Sequence, residues 1–296
     1  MPSWGNAGPL LRDAGEAAAS DHDIADTAFW VNVDRARRVD ISRDVYARLW
    51  VTQKSEELWE EMARTVYPYS DISVSLRNRY YLSLMERFAA EEAEASIINI
   101  AAGFTMYPYL LPEACRSLEV DYPKVVAFKA KKIAAWTAQG TLPARDVAYF
   151  GFDLSTDVRD HSLDAAMRDW LGSRKGFALM EGLTYYLPKQ SLDRLFAALA
   201  ETLPAGSLVA FEHWPSDADA YPSFVRFKRH MEERFGWKPH GFTLFDDDYV
   251  RALPGFRLIE AVDLPEVERR FCGERVMQAR ENRLPHLFKV LQREES

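Results

Sequence analysis

Cysteine is scarce in this 296-residue chain, which has only Cys115 and Cys272. Two thiols are too few for a disulfide framework or a zinc site. Both read as inert packing groups. Long apolar runs are also missing, and nothing approaches the roughly 18 uninterrupted residues of a membrane span. There is no basic excess: 37 Lys+Arg stand against 45 Asp+Glu, a net charge of −8. A nucleic-acid partner usually calls for a positive face, so that class is disfavoured. Met1 to Asp26 holds one Arg and five acids, unlike the basic and apolar regions of a signal peptide. These absences lead to the expectation of a cytoplasmic globular protein, with no membrane and no nucleic-acid partner. What is present agrees with it. The chain is 48% apolar and 28% charged, and one this long buries about three quarters of its unfolded surface without staples.

Residues 1–22 are rich in Gly, Ala, Ser and Pro and read as a flexible arm. Residues 23–92 carry helical periodicity, with Leu76, Tyr80, Leu84 and Phe88 four apart on one face. Trp30, Trp50, Trp59, Tyr80 and Tyr81 are expected mostly in a core. From residue 93 to 296 the texture changes. Short β-branched runs alternate with helical segments: Ser96 to Ile100, Ser117 to Asp121, Val147 to Phe152, Gly176 to Met180, Ser207 to Phe211, Phe256 to Val262 and His286 to Leu291. Between the second and third lies a helix from Pro123, whose charges at Lys124 through Lys132 read as a solvated face. The alternation predicts an α/β fold, a doubly wound and mostly parallel seven-stranded sheet with an N-terminal helical cap, as one folded unit.

In such sheets the ligand lies outside the carboxyl ends of the strands. Each predicted end is marked: Gly103 after the first, Asp121 on the second, Asp153 after the third, Glu181 after the fourth, and Glu212-His213 after the fifth. Eighteen residues separate Gly103 from Asp121, close to the spacing between a glycine turn and a ribose-binding acid. A glycine admits close backbone approach, and a carboxylate accepts both hydrogens of a ribose diol. The segment reads Ala101-Ala102-Gly103-Phe104-Thr105-Met106 rather than G-x-G-x-x-G, so it offers little to a pyrophosphate and NAD is the weakest reading. An adenosine ligand without phosphate, S-adenosyl-L-methionine (SAM), fits better.

These residues carry a family resemblance. Asp26-Thr27-Ala28-Phe29-Trp30 through Arg35-Ala36, Leu76-Arg77-Asn78-Arg79-Tyr80-Tyr81, Ile98 to Gly103, Glu119 to Val125 and Glu181-Gly182-Leu183-Thr184-Tyr185-Tyr186-Leu187-Pro188 occur in order from about residue 24 onward. The chain resembles the leucine carboxyl methyltransferase family, in particular its bacterial branch of polyketide and other natural-product O-methyltransferases. The resemblance implies a class I methyltransferase-like fold with SAM as cofactor, S-adenosyl-L-homocysteine (SAH) as product and no metal. Carried over by position, it implies Ala101 and Gly103 beside the methionine part and Arg77, or Arg79 two residues on, at its carboxylate. It further implies Asp121 and Tyr122 at the ribose, Asp153 and Leu154 framing the adenine, and Glu181 near the amino group and sulfonium. Where the family has a further glycine and an Asp-Thr-Arg run, this chain has Ala101, Thr105, Met106 and Tyr107, and Leu82 replaces an Asp.

The expected reaction is methylation of a small-molecule carboxylate, an acceptor that is already a nucleophile near neutral pH and needs little base catalysis. Alignment and water exclusion then supply most of the catalysis. Arg35, Tyr185 and Tyr186 are the acceptor-positioning candidates. A phenol or enol acceptor would need a base, for which His213 is the first candidate and His161 and His240 are weaker ones. The altered glycine loop keeps a second reading open: a divergent member that binds SAM without transferring methyl to a carboxylate.

Overall fold

The computed structural model describes residues 26–154, 161–236, 241–273 and 275–295. The arm expected at 1–22 and His240 lie outside the described residues.

Among the described residues, four α-helices precede the first strand: α1 (Asp26–Arg37), α2 (Val39–Ser42), α3 (Gln53–Thr65) and α4 (Ser70–Glu91). The Thr52 hydroxyl accepts from the Ser55 N–H to start α3, a capping box that satisfies donors the first turn would otherwise leave open. The rest of the chain alternates: β1 (Ser96–Ile100), α5 (Tyr107–Leu110), β2 (Arg116–Asp121), α6 (Pro123–Ala138), β3 (Val147–Gly151), α7 (Ser162–Leu171), β4 (Gly176–Met180), α8 (Lys189–Thr202), β5 (Leu208–His213), α9 (Pro222–Phe235), α10 (Asp247–Arg251), β6 (Phe256–Asp263), α11 (Leu264–Phe271) and β7 (Leu287–Arg293). The sheet order is β3-β2-β1-β4-β5-β7-β6. The first five strands run parallel, whereas β7 is antiparallel to both its neighbours. The order reverses between β1 and β4, which is where an open α/β sheet offers its crevice.

Two details differ from the sequence expectation. First, β5 runs on through Glu212 and His213, because antiparallel β7 pairs as far as His213 with Leu287. The two residues are strand members, not a loop, and alternation sends their side chains to opposite faces. Second, Lys129 is not on a solvated helix face. It is 1% exposed and its Nζ lies 2.8 Å from Oε1 of the buried Glu119. Lys124, Lys131 and Lys132 are exposed as expected.

Alternation along the strands sorts the core into two layers. Ile98, Ile100, Leu118, Val120, Ala178, Met180, Val209 and Phe211 pack with α7 and α8 on one face. Ile97, Phe177, Leu179 and Ala210 pack with Leu84, Met85 and Phe88 of α4 on the other, the cap face. Each fully buried Leu, Ile or Phe here contributes about 1.5–3 kcal/mol. Helix α4 is covered by the sheet on one side and by α1 and α2 on the other, so even Ser73, Ser75, Arg77 and Asn78 are buried. Trp30, Trp50, Trp59, Tyr80 and Tyr81 are all core residues.

Candidate functional site

The glycine turn after β1 begins with Ala101 at φ 59° and continues to Gly103 at φ 46°. The left-handed region costs a side-chain-bearing residue about 1–2 kcal/mol. The Ala101 methyl packs against the apolar layer beneath the sheet, leaving the opposite side of the turn open. No atom lies within 4 Å of where a Gly103 Cβ would stand. Thr105 holds the loop in shape: its hydroxyl donates to the Ala102 carbonyl (2.9 Å) and accepts from the Asn99 amide (2.8 Å).

At the neighbouring strand end, the partly buried Asp121 carboxylate accepts from the Gly103 N–H (2.7 Å) and the Tyr122 N–H (2.7 Å). Burial raises its pKa, and these two donors oppose the rise. Gly151 lets the start of α6 come close, since a Cβ there would meet the Pro123 Cα at 2.8 Å. Tyr122 is exposed and Asp153 and Leu154 are partly buried beyond β3. Leu154 packs on the apolar layer.

A second group of residues lies at the ends of β4 and β5. Arg77 of α4 donates from Nε to Glu181 (2.9 Å) and from Nη1 to Glu212 (3.5 Å). Burial works against its charge, but the two carboxylates overcome this and hold its pKa well above the ordinary value. Glu181 also accepts from the Tyr107 hydroxyl at 2.6 Å. Glu212 accepts from the Gly182 N–H (2.7 Å), the Tyr81 hydroxyl and the Tyr185 hydroxyl (3.4 Å). Burial raises the Glu212 pKa, partly offset by Arg77. Gly182 has φ 68°, and a Cβ there would stand 3.8 Å from both Arg77 terminal nitrogens.

Arg35 of α1 is fully buried. Its Nη2 donates to Asn32 (2.6 Å) and its Nε lies 3.5 Å from Asp44 Oδ2, yet Nε and Nη1 make no hydrogen bond. Both amide atoms of the buried Asn78, next to Arg77 on α4, are also without a partner. Buried polar atoms of this kind are normally satisfied, which makes them candidate ligand contacts.

An aromatic wall adjoins these groups. Tyr185 stacks on Trp214 with centroids 3.7 Å apart and 6° between planes, and Tyr186 lies 4.8 Å from Tyr185. Trp214 in turn meets Phe224, Phe227 and Phe242. Trp214 Nε1 donates to Nδ1 of His286 (3.2 Å).

The structure thus gathers Arg77, Gly103, Asp121, Glu181, Tyr185 and Arg35 along one edge of the sheet, on the cap side. Arg79 is turned away, pairing with Glu86 at 3.2 Å and lying over the Phe271 ring. His213 faces the opposite side: it stacks on Phe245 (4.4 Å, 11°) and its Nε2 lies 3.7 Å from Asp247, which Lys289 holds at 2.6 Å. Burial, then Lys289, pulls its pKa down to about 4. His161 sits by Asp164 and Arg194 at the start of α7, on the α8 side of the sheet. Sequence reasoning marked Glu212 as a strand-end acid but gave no role to it, to Asn78 or to His286. The strand register puts Glu212 on the same face as Asn99, Glu119 and Glu181 and His213 on the other, a distinction that local sequence pattern does not carry. Among the described residues no group of three His, Cys, Asp or Glu could hold a metal, and no helix is long and apolar enough to cross a membrane.

Comparison with known proteins adds to this geometry. The profile of the family described as Leucine carboxyl methyltransferase matches residues 12–200. A Mycobacterium marinum protein named "Putative S-adenosyl-L-methionine-dependent methyltransferase" is 32% identical over 178 residues, covering 58% of this chain and 54% of that protein. A protein of the same name from Mycolicibacterium gilvum is 29% identical over 178 residues, covering 58% and 54%. The chain therefore spans about half the length of the curated relatives it matches. Among solved structures, a DUF574 family protein from Streptomyces avermitilis gives a TM-score of 0.62 at 16% identity, covering 90% of this chain and 97% of that one. A structure described as a "putative methyltransferase" from Thermobifida fusca gives 0.60 at 16%, covering 82% and 90%. These likenesses show the fold: a class I methyltransferase-like α/β sheet.

Proposed function

From membership in the leucine carboxyl methyltransferase family, to which this chain belongs, we propose that it is a SAM-dependent O-methyltransferase acting on the carboxylate of a small molecule. The observation that carries the reading is the row of acids on one sheet edge: Asp121, held by the Gly103 and Tyr122 N–H groups, and Glu181 and Glu212, both meeting the buried Arg77.

The residues present fit the cofactor. Gly103 leaves open space beside Asp121, and the Ala101 methyl lies on the far side of the turn. Arg35 Nε and Nη1 are unsatisfied donors suited to a carboxylate. Asp121 would hold the ribose, Glu181 would face the ammonium and sulfonium charges, and Arg35 would bind the methionine carboxylate with Arg77 behind Glu181. When bound, SAM supplies an electrophilic methyl group. The chain's own part is to align and to exclude water. Buried carboxylates in a low-dielectric site favour a cation, and the aromatic wall with the cap helices keeps the acceptor oxygen desolvated.

The placement of His213 favours a carboxylate acceptor over a phenol or enol. The histidine proposed as base packs on the other face of the sheet, and a carboxylate acceptor needs none. The N-terminal signature, similar to that of the natural-product branch, supports a biosynthetic role, and the two free thiols are consistent with a cytoplasmic setting.

Calorimetry with SAH tests the cofactor assignment. Wild-type protein is expected to bind, and Asp121→Ala to bind about 10- to 100-fold more weakly, the scale of lost hydrogen bonds to a charged group. Absence of SAH binding by wild type would sink the proposal.

A further inference from the structure

His286 immediately precedes β7. Because β7 runs antiparallel to β5, with Leu287 opposite His213, its start lies at the carboxyl edge of the parallel strands. His286 shares parity with Phe288, which packs on the cap side, so it belongs to the same face as Glu212 and Arg77. It is 5% exposed. The indole N–H of Trp214 can only donate, so the Nδ1 it meets must accept, and the ring proton sits on Nε2. That Nε2–H has no hydrogen-bond partner among the described residues. Burial, and then the Arg77 charge, hold the pKa well below the ordinary value, so the ring stays neutral.

We infer that His286 is the acceptor-recognition residue, donating its Nε2–H to a carboxylate oxygen of the substrate beside the Tyr185–Trp214 stack. The inference rests on the reading of the site as a methyl-transfer centre and adds the group that selects the acceptor. A ring fixed as the Nε2–H tautomer cannot take a proton at that nitrogen. It can only donate there, and its bond to an anionic carboxylate oxygen is charge-assisted and stronger than one to a neutral hydroxyl oxygen. The Tyr185 and Trp214 rings beside it suit a flat apolar body on that acid.

The test uses the full chain saturated with SAH, labelled with ¹⁵N-histidine and titrated with benzoate, with benzyl alcohol as the uncharged control. The His286 resonances are assigned by their absence in His286→Gln. Expected are an Nε2–H tautomer in wild type, a shift of that proton with benzoate and none with benzyl alcohol. By calorimetry, benzoate binding should weaken about tenfold in His286→Ala, the scale of one hydrogen bond to a charged group. It should be partly retained in His286→Gln, whose amide can still donate, and SAH affinity should stay within about twofold in both. An Nδ1–H tautomer, equal response to benzyl alcohol, or unchanged benzoate affinity in His286→Ala would each overturn the inference. SAH binding without any benzoate response would overturn it while leaving the cofactor assignment standing. No SAH binding would overturn that assignment, and the benzoate titration of the unliganded chain would still decide the role of His286.

Discussion

The two faces of the central strands follow different rules. Below the sheet, successive inward positions are Ile98 and Ile100, Leu118 and Val120, Ala178 and Met180, Val209 and Phe211, an apolar layer that continues into the neutral ring of His213. On the cap face the same four strands carry Asn99, Glu119, Glu181 and Glu212, all buried. Asn99 and Glu119 are register partners, and Glu181 and Glu212 follow directly on the Met180–Phe211 pair. The difference teaches where selection for stability and for chemistry divide. Buried carboxylates cost desolvation energy and are retained only where cations and donors meet them. Here Lys129, Arg77, Tyr81 and Tyr107 do so.

Removing a charge from the cap face should therefore have the largest effect. Glu212→Leu strips the acceptor from Arg77, Tyr81 and the Gly182 N–H at once. It is expected to lower stability by about 3–5 kcal/mol, the range for breaking a buried charge network from one side, measured by urea unfolding. A loss under about 1 kcal/mol would mean that the two faces do not differ as described.

Next comes Asp34, in the cap itself. Its carboxyl accepts from Trp59 (2.5 Å) and Ser70 (2.8 Å), and burial, opposed by these two bonds, raises its pKa to about 7. A folded-state pKa above the unfolded value stabilises the fold fully below about pH 4, and that stability is lost as pH rises through 7. Three units correspond to about 4 kcal/mol at most. Unfolding measured between pH 4 and 8 should show the wild type falling relative to Asp34→Asn by a few kcal/mol. Parallel curves would show that the Asp34 carboxyl is not perturbed.

The contrast between the faces also explains what could be read from the sequence. The strands, their approximate ends, the cap and the glycine turn were legible, because buried parallel strands and amphipathic helices leave local patterns. The acids Asp121 and Glu181 were legible as strand-end markers. Choosing between Glu212 and His213 was not, because both faces of a parallel sheet are buried and alternation carries little hydropathy signal. Lys129 looked solvated for a related reason: a helix segment rich in lysine gives no sign that one of them meets a buried acid across the strand. His286 and Asn78 depend on contacts 72 residues apart in one case and on cap packing in the other, which no local pattern encodes.

On the apolar face a smaller effect is expected. His213→Phe replaces a neutral ring stacked on Phe245 with another ring, and Asp247 keeps Lys289 at 2.6 Å. Stability should change by about 1 kcal/mol or less, and SAH affinity by no more than about twofold. A large loss of SAH binding would restore His213 to the site and abolish the distinction between the faces.

The smallest effect belongs to the residue where the two faces meet. Ala101 holds φ 59° while its methyl packs on the apolar layer. Ala101→Gly relieves about 1–2 kcal/mol of left-handed strain. Against that stand about 0.8 kcal/mol for the lost methyl burial and about 0.4–1 kcal/mol for the freer unfolded chain. These nearly cancel, so stability should stay within about 0.5 kcal/mol of wild type, with SAH affinity unchanged because the methyl faces away from Gly103. If the glycine variant instead bound SAH several-fold more tightly, the methyl would have to project toward the cofactor side. The alanine would then be a restriction on the ligand edge rather than part of the layer beneath it.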